Sequence, residues 1–150
     1  MKKRISVFFV IGILVAFVSV CTVGLPNISS LKFGINNAAD PARTTFTVGE
    51  DIYAVVAISN IKQPVTLKHV LTAENVDGVT KGQVLLSSSS DIPDARTINI
   101  NFLGLTKPGD FKFEATLIDN TGKVVDTKSG IFTLTPKSLT TTDGKTSPKP

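Results

Sequence analysis

The stretch KPGDFKFEATLIDNTGKVVD, residues 107–126, alternates apolar and polar side chains and then turns. Its apolar side chains occupy every second position, at Phe111, Phe113, Ala115 and Leu117. A period of two is that of a β-strand with one face in the core. The following DNTG, residues 119–122, predicts a type I turn after which Gly122 adopts a positive φ. We therefore predict a β-hairpin formed by the last two strands of the protein.

The chain from residue 31 to residue 135 repeats this pattern of short strands. Residues 52–59, IYAVVAIS, form a nearly continuous β-branched and aromatic run, as expected of a central strand covered on both faces. The other predicted strands cover residues 31–35, 44–48, 65–71, 83–86, 97–103, 111–118 and 123–134. SSSSDIPD, residues 87–94, is predicted to be a loop, and Gly130 to mark a bulge. The pattern indicates an all-β antiparallel sandwich of about seven strands.

The N-terminus has the composition of a signal or anchor helix. Lys2, Lys3 and Arg4 precede an uncharged apolar stretch that extends from Ile5 to Leu25. Three interpretations stay open: a signal peptide cleaved before Thr22, an uncleaved membrane anchor, and a lipoprotein lipidated at Cys21. The lipoprotein pattern is matched only in part, because Val20 stands where Gly, Ala or Ser is usual. All three interpretations place the protein outside the cytoplasm, and the last two attach it to a membrane.

The predicted organisation has four parts: a signal or anchor over residues 1–25, a linker over 26–30, the sandwich over 31–135 and a tail over 136–150. The tail is rich in Thr, Lys and Pro and has few apolar side chains. Such a segment buries too little surface to offset the entropy lost on ordering, so we predict that it is disordered.

The charge of the chain argues against nucleic acid as a partner. The formal net charge is +4 and the isoelectric point is near 9.3. However, 3 of the 16 basic residues lie at positions 2–4, which leaves 13 basic residues against 12 acidic ones. A nearly neutral body has no strong field to attract polyanions.

Two motifs resemble those of immunoglobulin-like β-sandwich domains of exported bacterial proteins. FTVGEDIYAVVAI, residues 46–58, resembles the turn into the second strand of such domains. GDFKFEA, residues 109–115, resembles their Gly-x-Tyr-x-Cys segment, with Phe111 in place of the tyrosine and Phe113 in place of the second cysteine. The resemblance implies an immunoglobulin-like fold in which apolar packing replaces the inter-sheet disulfide and the tyrosine-corner hydrogen bond is lost.

The residues needed for catalysis are scarce. His69 is the only histidine, and it shares one strand face with Leu67 and Leu71, so we interpret it as a packed side chain. No Gly-x-Ser-x-Gly motif accompanies it, and the body has no cysteine for a zinc site. We therefore predict no enzyme activity and no cofactor.

Two groups of loop residues are candidates for binding. An immunoglobulin-like layout would bring Glu50, Asp51 and Asp110 together at one end, with Asp77 as a further carboxylate, and oxygen-rich loops suit Ca²⁺. The opposite end would collect polar loop residues of the kind that contact partners. These candidates are Asn60, Lys62, Gln63, Asp91, Asp94, Asp119, Asn120 and Thr121.

The sequence thus favours a non-catalytic, exported, immunoglobulin-like domain that binds a protein or glycan or supports structure at the cell envelope. One alternative is an inhibitor that inserts its end loops into an extracellular protease. Another is an accessory carbohydrate-binding module, although Tyr53 and the absence of Trp leave little for an aromatic sugar platform.

Overall fold

The computed structural model describes residues 24–137, which contain eight β-strands and no helix. The strands are β1 (Asn27–Gly34), β2 (Thr45–Thr47), β3 (Ile52–Ser59), β4 (Val65–Val76), β5 (Val84–Ile92), β6 (Arg96–Phe102), β7 (Gly109–Ile118) and β8 (Val124–Thr135). The predicted all-β class is confirmed. No helix long and apolar enough to cross a membrane occurs in this part of the chain. Cys21, nearly all of the apolar N-terminal segment and residues 138–150 lie outside the described residues.

The strands form two sheets of unequal width. The narrower sheet has the order β1-β3-β6, and the wider one has the order β2-β8-β7-β4-β5. All neighbours are antiparallel except β2 and β8, which are parallel over three residues. The two sheets pack into a sandwich, with β3 central in one layer and β7 central in the other. The nearly continuous apolar sequence of β3 agrees with this position.

The core between the sheets is an aromatic cluster centred on Phe132 of β8, whose side chain is fully buried. Its ring centroid lies 5.2 Å from that of Phe33 and 5.6 Å from that of Phe102, both on the opposite sheet. Phe46 and Phe111 complete the cluster at 5.9 and 5.4 Å. These separations are those of favourable ring pairs, so Phe132 joins the two layers directly.

The hairpin predicted from residues 107–126 is confirmed. β7 alternates buried and half-buried side chains as its sequence does. The Asp119 N–H donates to the Lys123 carbonyl, and the Gly122 N–H donates to the Asp119 carbonyl at 3.0 Å. Gly122 has a φ of 84°, a conformation that glycine adopts without steric cost.

Gly130 does not mark a bulge, because the irregularity between β7 and β8 lies near Leu117 and Ile118 instead. The glycine provides space for the opposite sheet. A Cβ at position 130 would lie 2.7 Å from Cε2 of Phe33, so the buried Phe33 ring would have to move to admit a side chain. The bulge prediction was therefore wrong, and the glycine serves the contact between the layers.

Strand boundaries also differ from the sequence-based expectation, most clearly in β1, β4 and β5. β4 continues to Val76, five residues past its predicted end. β1 begins at Asn27, inside the segment assigned to a linker, because Ile28 is buried and its N–H donates to Asp126 Oδ2 at 2.7 Å. β5 continues through residues 87–92, which were expected in a loop. The long strand β4 provides a backbone partner for each of these residues, and this pairing overrides the low β-propensity of serine.

Truncation of Phe132 to Ala should lower the free energy of unfolding by about 3–5 kcal/mol, because a buried ring is lost and a cavity remains. Urea denaturation would measure the loss. The neighbouring Ile131, which is 54% exposed, provides the control, since its truncation to Ala should change stability by less than about 1 kcal/mol. Equal losses for the two variants would contradict the assigned role of the ring cluster.

Candidate functional site

Three connections between strands and the beginning of the described chain lie at one end of the sandwich. The connections are residues 60–64 between β3 and β4, 93–95 between β5 and β6, and 119–123 between β7 and β8. They meet because β3, β5 and β7 end at this side, where β1, β4, β6 and β8 begin. We call this side the loop end.

The loop end contains a depression of about 300 Å³. Polar side chains from two connections line it, and Asn120 Nδ2 donates to Gln63 Oε1 at 3.2 Å across the gap between them. The lining includes Asn60, Lys62, Gln63, Asp119 and Asn120, with apolar surface from Leu25, Pro26, Pro64, Val65 and Val125. A partly apolar hollow with a few converging polar groups has the composition of a binding site.

Five of the eight residues predicted for partner binding therefore come together, and three do not line the depression. Asp91 lies within β5, where its carboxylate accepts from Thr66 Oγ1 at 3.2 Å. Asp94 forms an ion pair with Arg96. The Thr121 hydroxyl donates to Asp119 Oδ1 at 2.6 Å and so belongs to the turn.

The apolar contribution of Leu25 and Pro26 to the depression was not foreseen from the sequence. Both residues were assigned to segments before the folded domain. The early start of β1 holds them in place, and Asn60 Nδ2 reaches back to Asn27 Oδ1 at 3.4 Å. Residues 31–35 were predicted to be a strand, and the apolar Ile28 between two polar residues was the only signal that this strand begins earlier.

The Asp119 carboxylate stabilises the turn at the edge of the depression. Its Oδ1 accepts from the Thr121 hydroxyl and from the backbone N–H groups of Thr121 and Lys123, the last two at 2.9 Å. The Thr121 hydroxyl, followed by the Lys123 N–H, holds the pKa of Asp119 below its ordinary value. The side chain is therefore ionised at neutral pH, and it orders the loop that presents Asn120.

The carboxylates considered for calcium lie at the opposite end. Glu50 accepts from the Thr47 N–H at 2.6 Å and pairs with Arg43 at 2.9 Å, and both contacts lower its pKa. Asp110 accepts from Thr133 Oγ1 at 2.7 Å. Within residues 24–137, Asp51 and Asp77 join no group of three or more side chains that could hold a metal ion. In this part of the chain, the carboxylates predicted to bind calcium therefore do not converge on a common site.

His69 packs in the core of the wider sheet and is 7% exposed. Its ring centroid lies 6.0 Å from that of Phe113, and its Nδ1 has no hydrogen-bond partner within the described chain. Ser88 is its cross-strand neighbour on β5, but no hydrogen bond connects the two side chains. Burial lowers the pKa of His69, so the imidazole is neutral and packed.

Replacement of Asp119 by Ala should lower the midpoint of urea denaturation at pH 7, because the turn loses a carboxylate that accepts three hydrogen bonds. The folded-state pKa is below the ordinary 3.8, so this stabilisation is complete above pH 3.8 and is lost as the pH falls through the folded-state value. The difference between wild type and variant should therefore shrink in acid. Asn120→Ala is the matched control, with little effect at either pH.

Replacement of His69 by Leu should reduce the pH dependence of stability between pH 5.5 and 7.5. The folded-state pKa of His69 is below the ordinary 6.5, so near this pH the unfolded chain binds more protons than the folded chain. The free energy of unfolding therefore falls as the pH drops below 6.5. Urea denaturation across this range would measure the slope. An unchanged slope in the variant would show that His69 does not titrate in this way.

Comparison of the chain with known protein families and with curated proteins gives no match. The function of this protein is therefore inferred from its own residues. The depression at the loop end is the place where these residues combine polar groups, apolar surface and an ordered turn.

Proposed function

We propose that this protein is an exported, non-catalytic, immunoglobulin-like domain that binds a partner through its loop end. The observation that carries the proposal is the depression in which Asn60, Gln63 and Asn120 converge over apolar surface. Binding residues concentrate on loops that a rigid scaffold positions, and the two sheets provide such a scaffold.

The strand order supports the immunoglobulin-like assignment. A β1-β3-β6 sheet facing β8, β7 and β4 corresponds to the division of such sandwiches into two antiparallel sheets with crossing connections. Phe111 and Phe113 lie on β7, the strand that would carry the family's tyrosine and second cysteine. The ring centroid of Phe113 lies 6.2 Å from that of Phe33 and 5.5 Å from that of Phe102, both on the opposite sheet, so apolar packing links β7 to that sheet.

The chemistry of the depression favours a polar, uncharged surface in the partner. Its amide side chains provide both donors and acceptors, and Lys62 and Asp119 contribute one charge of each sign. Such a set suits the backbone and amide groups of a protein better than a polyanion. Tyr53, the only residue available for an aromatic sugar platform, pairs with Gly34 and Asn101 at the opposite end. We therefore favour a protein partner over a glycan.

The position of the depression relates binding to export. The described chain begins at Gly24, which lines the depression together with Leu25 and Pro26. A retained anchor would hold the loop end beside the outer face of the membrane, whereas a cleaved leader would leave it open to the surroundings. In either case the partner belongs outside the cytoplasm.

Affinity capture from the native cell envelope tests this proposal, with the full chain as bait. The double variant Gln63→Ala/Asn120→Ala should retain at least about tenfold less partner than wild type, since two lost hydrogen bonds at a buried contact cost about 1.4 kcal/mol or more. Mass spectrometry of the bait would read its mature N-terminus in the same experiment.

The matched control is Asn99→Ala/Asn101→Ala, which removes two exposed amides from β6, away from the loop end. This variant should retain the partner at the wild-type level. Equal retention by both double variants would contradict binding through the depression. Capture of an extracellular protease whose activity is lost in the complex would favour the inhibitor hypothesis.

A further inference from the structure

The outer edge of β5 is unpaired. β5 is the last strand of the five-stranded sheet, and its only hydrogen-bonded neighbour in the described chain is β4. The strand has nine residues, Val84–Ile92, which corresponds to a length of about 30 Å. It therefore presents a long row of free backbone N–H and C=O groups to a further strand.

Most of this edge lacks the features that normally prevent strand addition, which are charges, proline, short length and bulges. The one register shift between β4 and β5 lies near Leu85, so the regular part of the edge begins at Leu86. From Val84 to Ser90 the sequence VLLSSSS contains no charged residue, no proline and no glycine. The other edge strands have features that oppose the addition of a further strand: β2 has only three residues, β1 carries Lys32 and β6 begins with Arg96. β5 is thus the longest edge strand of the described sandwich, and its one charged residue, Asp91, lies near its end.

The unequal sheets also leave β5 uncovered on its core-facing side. Leu86 pairs with Leu71, whose side chain is buried, so Leu86 points towards the same layer. With only three strands, the opposite sheet does not cover Leu86, whose side chain is 36% exposed. A second copy of the strand would remove part of this apolar surface from water.

We propose that β5 pairs antiparallel with β5 of a second copy of this chain, so that the two five-stranded sheets become one ten-stranded sheet. The charge pattern supports this partner. Asp91 is the only charged residue of β5, and a two-fold axis near Ser88 places it opposite Leu85 of the other copy. Parallel pairing in register would instead set Asp91 against itself. An antiparallel register centred near Ser88 therefore avoids the like-charge contact that an in-register parallel pairing would create.

The pairing leaves the loop end free. An axis perpendicular to the sheet reverses the strand direction between the copies, so the two loop ends point in opposite directions. The dimer would present two candidate binding sites on opposite sides. The proposed dimer does not depend on the proposed function, because no residue of β5 lines the depression.

Disulfide crosslinking in the full chain tests the proposal. Each serine from Ser87 to Ser90 is replaced singly by Cys in a Cys21→Ser background, and a mild oxidant is added. Residues that face each other near the axis have Cα atoms about 4.5–5.5 Å apart, within the range that a disulfide can bridge. One or two neighbouring positions should therefore form dimers on a non-reducing gel, several-fold more than the others.

The control is Asn99→Cys, an exposed position on β6 at the edge of the narrower sheet, in the same background. The proposal would be overturned if none of the four serine positions crosslinked more than this control. It would also be overturned if the only products were adducts with a different polypeptide. Lysine placed beside the best crosslinking position should reduce the crosslinked fraction roughly tenfold with an unchanged denaturation curve. Unchanged crosslinking in that variant would also overturn it.

Discussion

The contact of Phe132 with rings from both layers is the interaction on which the rest of this structure depends. Phe33 and Phe102 reach it from the narrower sheet, and Phe46 and Phe111 pack against it from its own sheet or that sheet's edge. The described chain contains no cysteine, so no disulfide can hold the layers together. Interlocking phenyl rings perform this role, and they require close approach of the sheets, which Gly130 permits at Phe33.

The rigidity of this core has a consequence for the loop end. β7 and β8 leave the ring cluster as a paired hairpin, and Asp119 closes that hairpin with hydrogen bonds to its own turn. β3 and β4 bring the connection 60–64 to the same place from both sheets. Gln63 and Asn120 therefore meet because the scaffold fixes the ends of their loops, and their mutual hydrogen bond adds local order.

The difference in width between the sheets determines which surfaces remain open. Three strands cover the centre of a five-stranded layer. The two outermost strands of that layer, β2 and β5, differ in length and in how they pair. β2 is short and parallel to β8, so it offers little edge. β5 is long and uncharged over most of its length, and its inner side has no layer above it. The loop end and the β5 edge are separate surfaces with different chemistry, one of converging amides and one of backbone groups beside leucine side chains.

The sequence by itself determined the fold class, the central position of Ile52–Ser59, the hairpin at Asp119 and the packed state of His69. These features depend on local periodicity and turn chemistry, which neighbouring residues specify. Tertiary structure alone decided the strand character of residues 87–92, the role of Gly130 and the place of Leu25 and Pro26 beside Asn60. Each of these depends on a partner far away in the chain, and a backbone ladder or a ring from another strand leaves no periodic signal in the segment that it contacts.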